Sequence, residues 1–201
     1  MSTEEALVID PKTTALVLVD LQRGVFEGMA GGAGVGPHSA GDALARARRT
    51  ATALRERGGL VVLVRGSMGL SGVPFPAPRT DAGVPAGVRV PPHWAEIVPE
   101  LADCADHVVT KHQWGSFYGT DLEVLLRRNG ITTLLLGGVA TNLGVESAAR
   151  EAYDRGFEQV LIEDAATAFD AAAHQDTVSR VMPLIGRVRT TEQVLSALTG
   201  G

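Results

Sequence analysis

The chain has 201 residues, 45% hydrophobic and 20% charged, with a net charge of −5. That suits one α/β domain over residues 1–201 with a sizeable core, and it excludes a disordered chain. The acidic balance argues against nucleic acid or an anionic membrane surface as partner, and no apolar run approaches the roughly 18–20 residues of a membrane span.

The predicted elements alternate along the chain. Residues 14–19 (TALVLV) form a first strand ending at Asp20. Residues 28–36 (GMAGGAGVG) hold five glycines and read as a loop. A helix follows over residues 40–57, apolar on one face and arginine-rich on the other. Residues 60–64 (LVVLV) form a second strand ending at Arg65. Residues 66–92 contain five glycines and six prolines, too many for a regular element. A loop of that length after a strand end is expected to be a binding loop or lid, with an inert insertion as the plain alternative.

Residues 107–110 (HVVT) form a third strand followed by Lys111, and a helix over 120–128 is capped by Thr120 and stopped at Asn129-Gly130. A fourth strand over 133–136 (TLLL) runs into Gly137 and Gly138. The helix over 142–155 stops at Gly156 and carries Glu146/Arg150 and Glu151/Arg155 at i,i+4 spacing. A fifth strand over 159–162 (QVLI), a helix over 171–182, a weak sixth run over 187–189 and a helix over 192–198 complete the chain. Continuous Val/Leu/Ile strands are covered on both faces, so the alternation predicts a doubly wound, three-layer α/β sheet.

Ligands of open α/β sheets bind at the carboxyl ends of strands. Asp20, Lys111 and the turn after the fourth strand would share one rim if their strands are neighbours. A carboxylate and an ammonium placed there can perform acid/base and electrostatic work; a salt bridge between two strand ends is the plain alternative. Lys111 is one of two lysines, with Lys12, against sixteen arginines. The turn Val139-Ala140-Thr141 leads to the first-turn amides of Leu143, Gly144 and Val145, which suit an anion or oxyanion. Gly144 is costly inside a helix and opens space above its end. Neither GxxxxGK[ST] nor GxGxxG occurs.

Three stretches, TALVLVDLQRGVFEG, VVTKHQWGSFYGTDLEVLLRRNGI and LLLGGVATNLGVESAAREAYDRGFEQVLIEDAATAF, together with IGRVRTTEQVLSAL, resemble the isochorismatase-like hydrolases. The resemblance implies a six-stranded, mostly parallel sheet with helices on both faces, a small-molecule substrate and a homo-oligomer. It matches Asp20 to the family's catalytic aspartate and Lys111 to its catalytic lysine. Gln22 and Phe26 match positions beside the aspartate, and Val139-Ala140 falls where the family often has a non-proline cis peptide.

The chain also departs from the family. Amidase members carry a nucleophilic cysteine in the motif that reads Thr141-Asn142-Leu143-Gly144-Val145-Glu146 here, so Gly144 stands at the nucleophile's place. Cys104, the only cysteine, lies in LADCADHVV before the third strand and is not the missing thiol. A lone cysteine excludes an internal disulfide. With an acidic amino terminus that lacks a signal pattern, it fits a cytoplasmic location.

The isochorismatase members proper also lack the cysteine and hydrolyse a vinyl ether by protonating its enol carbon. Asp20 would be that acid; burial raises its pKa and Lys111 lowers it. Arg65 would meet a substrate carboxylate, or form a structural ion pair. Trp114, Phe117 and Tyr118 would line an apolar pocket wall, or pack in a core or oligomer contact. His38, His93, His107, His112 and His174 show no HxxxH or HxH spacing, so neither a metal nor an organic cofactor is expected. The expected activity is cysteine-independent acid/base hydrolysis of a small organic substrate. An amide hydrolase using activated water or a substitute nucleophile such as Ser147, or a non-catalytic metabolite-binding protein, are the alternatives.

Overall fold

Six strands, β1 (Thr14–Val19), β2 (Leu60–Gly66), β3 (His107–Lys111), β4 (Thr133–Val139), β5 (Glu158–Thr167) and β6 (Arg187–Arg189), pair in parallel in the order β3-β2-β1-β4-β5-β6. The computed structural model describes residues 7–30, 36–67, 81 and 91–199. Among the described residues, seven α-helices join or flank the strands: α1 (Arg23–Ala30), α2 (Ala40–Arg55), α3 (Leu122–Arg128), α4 (Glu146–Asp154), α5 (Ala171–Asp176), α6 (Met182–Ile185) and α7 (Thr191–Thr199). The expected doubly wound α/β architecture is present. Strand order reverses at the β1–β4 junction, where such sheets open a crevice at their carboxyl end.

The central strand shows why the sheet holds. All six residues of β1 are buried, and strand geometry sends alternate side chains to opposite faces. Leu16 and Leu18 enter a core with Leu44, Ala47 and Leu54 of α2 and Val194 and Leu198 of α7. Ala15, Val17 and Val19 enter a second core with Leu122 and Leu126 of α3 and Ala148, Ala149 and Ala152 of α4. Each fully buried Val or Leu contributes roughly 1.5–3 kcal/mol. The arginine face of α2 reaches neighbouring acids: Arg48 to Asp103, Arg49 to Glu192 and Arg55 to Asp106. No helix among the described residues is long and apolar enough to cross a membrane.

Several boundaries differ from expectation. Gly28 lies inside α1, not in a loop, and residues 31–35 fall outside the described residues. Within the 66–92 segment, residues 68–80 and 82–90 also fall outside them. Gly66 closes β2, and Pro92–Ala95 forms a short 3-10 turn. The helix expected over 142–155 begins as a wide π turn, Thr141–Val145, in which the Val145 amide reaches back to the Ala140 carbonyl. The helix expected over 171–182 is divided by a second wide turn, Thr177–Val181, just before Pro183 in α6. Proline has no amide to give to the ladder and its ring crowds the carbonyl four residues back, so regular winding cannot pass through it.

β5 is much longer than its apolar run, and two steps along β4 (Leu136 to Gly138) are matched by five along β5 (Leu161 to Ala166). The surplus forms a bulge that re-aims Glu163 and Asp164. The Glu146/Arg150 pair forms. Glu151/Arg155 does not form as a side-chain pair: Arg155 bonds Glu123 instead, while the Glu151 carboxylate accepts the Phe117 and Tyr118 amides at 2.8 and 3.3 Å.

Candidate active site

β1 ends in an unusual backbone conformation. The Asp20 amide still bonds the Val64 carbonyl across the ladder at 2.7 Å. Its φ is 54°, the only positive value of a non-glycine among the described residues. A side chain held in the left-handed region costs about 1–3 kcal/mol and persists where its surroundings over-determine it. Here the determinant is Lys111, the last residue of β3, whose ammonium lies 2.8 Å from Asp20 Oδ2. The Lys111 side chain is fully buried, that of Asp20 15% exposed. The ammonium also donates to the Trp114 carbonyl at 2.9 Å. Asp20 Oδ1 is buried and has no hydrogen-bond partner among the described residues.

Burial pushes the Asp20 carboxyl above its ordinary value; attraction and hydrogen bonding from Lys111 and the Gly66 amide oppose this without cancelling it. The contest that sequence alone leaves open thus goes to desolvation.

The turn after β4 closes the third side. Gly138, at φ 121°, lies so close to the Val19 backbone that any Cβ would collide with it. Glycine is therefore what lets the end of β4 lie against the end of β1. Val139-Ala140 is a cis peptide, as the resemblance implies, and both residues are buried. A Cβ built on Gly144 would lie 2.8 Å from Asp20 Oδ2 and 3.0 Å from Lys111 Nζ. Position 144 therefore faces the acid and the ammonium together. Thr141 is buried, its Oγ1 2.9 Å from His174 Nδ1.

The other expected site residues divide. Arg65 is half-buried near the end of β2, bonds Thr110 Oγ1 at 3.2 Å and the Ala95 carbonyl at 3.5 Å, and forms no ion pair among the described residues. Phe26 on α1 packs partly against the first core. Gln22 is fully buried, and its amide is engaged on both sides: Oε1 accepts the Gly66 amide and Nε2 donates to the Trp94 carbonyl. It ties the 91–98 segment to the end of β2. Phe117 takes the core-packing alternative: its ring lies in the second core beside Phe157, at 5.9 Å, under the Arg155 guanidinium. Trp114 lends its carbonyl while its ring is 56% exposed, and Tyr118 is exposed too. Cys104 is buried in the first core, where burial raises its thiol pKa and makes thiolate chemistry harder.

Sequence reasoning missed one group. His38, Glu163 and His174 offer ligand atoms that all lie within 4.8 Å of one another. They come from distant parts of the chain, and no spacing signal announces them. A cavity of about 460 Å³ bordered by Lys12, Arg55, Gly59, Asp106 and Asn129 opens at the opposite, amino-terminal end of the strands, away from Asp20. Its cation Arg55 is already paired with Asp106.

Comparison with known proteins gives one answer at every level. The family model described as the isochorismatase domain matches residues 14–193. The isochorismatase family protein YecD of Escherichia coli O157:H7 is 42% identical over 193 residues, covering 96% of this chain and 100% of the relative. The ureidoacrylate amidohydrolase RutB of Variovorax paradoxus is 29% identical over 215 residues, covering 94% of this chain and 82% of the relative. Among solved structures, an isochorismatase family protein from Burkholderia thailandensis superposes with a TM-score of 0.86 at 38% identity, covering 97% of this chain and 100% of that one.

Proposed function

The chain belongs to the isochorismatase family and is a hydrolase of that type, and from that premise we propose that it hydrolyses a small vinyl-ether substrate by acid/base chemistry without a cysteine. The observation that carries this reading is the triangle of Asp20, Lys111 and Gly144. The position that faces both charged groups has no side chain, so no nucleophile competes with substrate for the acid.

In the proposed step, protonated Asp20 gives its proton to the terminal enol carbon. The double-bond electrons form the new C–H bond, leaving an oxocarbenium ion at the ether-bearing carbon. Water adds there and returns a proton to the Asp20 carboxylate. The resulting hemiketal then breaks its bond to the leaving oxygen while its hydroxyl proton passes to that oxygen, which releases a ketone and an alcohol. Burial raises the Asp20 pKa and so favours the protonated form that the step needs. Lys111, at 2.8 Å, favours the anion that forms when the proton leaves. Arg65 holds a substrate carboxylate, whereas the Leu143 and Val145 amides are already taken by the Ala140 carbonyl and are left out of the step.

A second reading is amide hydrolysis by water that Asp20 activates as a base. The relative named ureidoacrylate amidohydrolase, aligned over 94% of this chain, favours it. The two readings part in one assay. Pyruvate released from isochorismate-like vinyl ethers supports the first. Ammonia from ureides, nicotinamide or simple amides, with no pyruvate, replaces it with the second. Asp20→Asn is expected to cut turnover by at least a hundredfold, the lower bound for losing a general acid. An equally active variant would remove Asp20 from either mechanism.

A further inference from the structure

One strand beyond the Asp20 site, three elements bring metal-binding chemistry together. His38 stands in the turn just before α2, Glu163 in the bulge of β5 and His174 on α5. Glu163 Oε2 lies 3.1 Å from His38 Nε2 and 4.0 Å from His174 Nε2. The first distance is a hydrogen bond. The second is beyond hydrogen-bond reach, so His174 Nε2 faces the cluster with no hydrogen bond of its own among the described residues, although the residue is 1% exposed.

His174 has a partner on its second ring nitrogen, as metal-binding imidazoles usually do. The other ring nitrogen of His174 is held at 2.9 Å by the Thr141 hydroxyl, which accepts if Nδ1 carries the proton and so leaves the Nε2 lone pair aimed at Glu163. The backbone of His38 is fixed as well, its carbonyl accepting the Thr167 hydroxyl at 2.7 Å. Glu163 and His174 stand on regular elements and His38 two residues before α2, and all three ligand atoms fall within 4.8 Å of one another. Tetrahedral ligands about 2.0–2.1 Å from a zinc ion stand roughly 3.3 Å apart. The His38–Glu163 edge already meets that spacing, and His174 needs a shift of about an ångström.

We propose that His38, Glu163 and His174 bind one divalent transition-metal ion. Two imidazoles and one carboxylate form a borderline donor set that suits zinc, cobalt or nickel better than magnesium or calcium. The ion would join the start of α2, β5 and α5. Through the Thr141 hydroxyl it would also brace the turn that carries Gly144. Its role is positioning, because none of the three ligands touches Asp20 or Lys111 in the structure.

The test uses the full chain without an affinity tag, stripped by a chelator and titrated with cobalt(II). One equivalent is expected to develop visible d–d absorption, and zinc(II) is expected to raise the melting temperature. Glu163→Gln, which keeps size and hydrogen bonding, and His38→Ala are each expected to weaken cobalt binding at least tenfold with an unchanged circular dichroism spectrum. Thr141→Val, which removes only the outer contact, is expected to cost about 10–100-fold. Absence of both cobalt bands and a zinc-dependent melting shift in the wild-type chain would overturn the proposal. So would cobalt bands of undiminished affinity in Glu163→Gln and His38→Ala, which would put the ion elsewhere.

Discussion

Asp20 carries opposed influences on a single carboxyl group. Its surroundings remove water and hold the proton on; Lys111 pulls the other way and makes the proton cheaper to release when the substrate takes it. A buried acid with a cation in contact can thus be protonated at rest and still be a competent donor. The pH dependence follows with a definite sign. If Asp20 works as a general acid, its protonated form is the active one. The kcat/KM for a vinyl ether should then be full at low pH and fall as pH rises through an apparent pKa above the ordinary 3.8. A rise through the same pKa would show Asp20 working as a base. Asp20, Lys111 and Gly144 were legible because strand ends of a parallel sheet collect on one rim. The direction of the Asp20 shift was not, since it depends on how much water the fold excludes. Nor were the partners of Gln22 and Phe117, one bonded to Gly66 and Trp94, the other packed in the core beside Phe157.

At the scale of elements, the apolar runs located all six strands, but strand length exceeded them wherever polar or small residues continued the ladder. β4 runs on through Gly137 and Gly138, and β5 through Glu163 and Asp164. The bulge of β5 comes from pairing between segments that no local pattern records, whereas the second wide turn sits beside Pro183, which the sequence does display. The loop after β3 is held in the same non-local way. Its Phe117 and Tyr118 amides bond the Glu151 carboxylate from α4, and its Trp114 carbonyl receives the Lys111 ammonium. Sequence spacing assigned Glu151 to Arg155, but the anion instead serves backbone donors that would otherwise lack partners. Glu151→Ala should therefore destabilise the fold by about 1–3 kcal/mol, the cost of leaving such amides unsatisfied. A shift of the urea midpoint to lower concentration with an unchanged slope would register it. No shift would mean that water replaces the carboxylate without loss.

At the scale of the whole molecule, the two cores close both faces of the sheet, yet the loop after β3 leaves two aromatic rings in water. Trp114 is 56% exposed and Tyr118 74% exposed, four residues apart on one segment. Each ring would lose a large apolar area to a partner surface, and aromatic side chains are the type most enriched in the buried centre of interfaces. The family resemblance implies a homo-oligomer, and this loop offers apolar area for one, with Val8, Val124, Tyr153 and Leu184 exposed elsewhere. The same loop carries the carbonyl that fixes Lys111, so burying it in a contact between copies would also steady the ammonium beside Asp20. Sedimentation velocity should accordingly find the wild-type chain larger than one copy. Trp114→Ala, which keeps the backbone carbonyl, should shift it toward the single chain and lower turnover together with it. A wild-type chain that sediments as one copy would end the self-association argument. Trp114→Ala that dissociates at full activity would instead separate assembly from the ordering of Lys111.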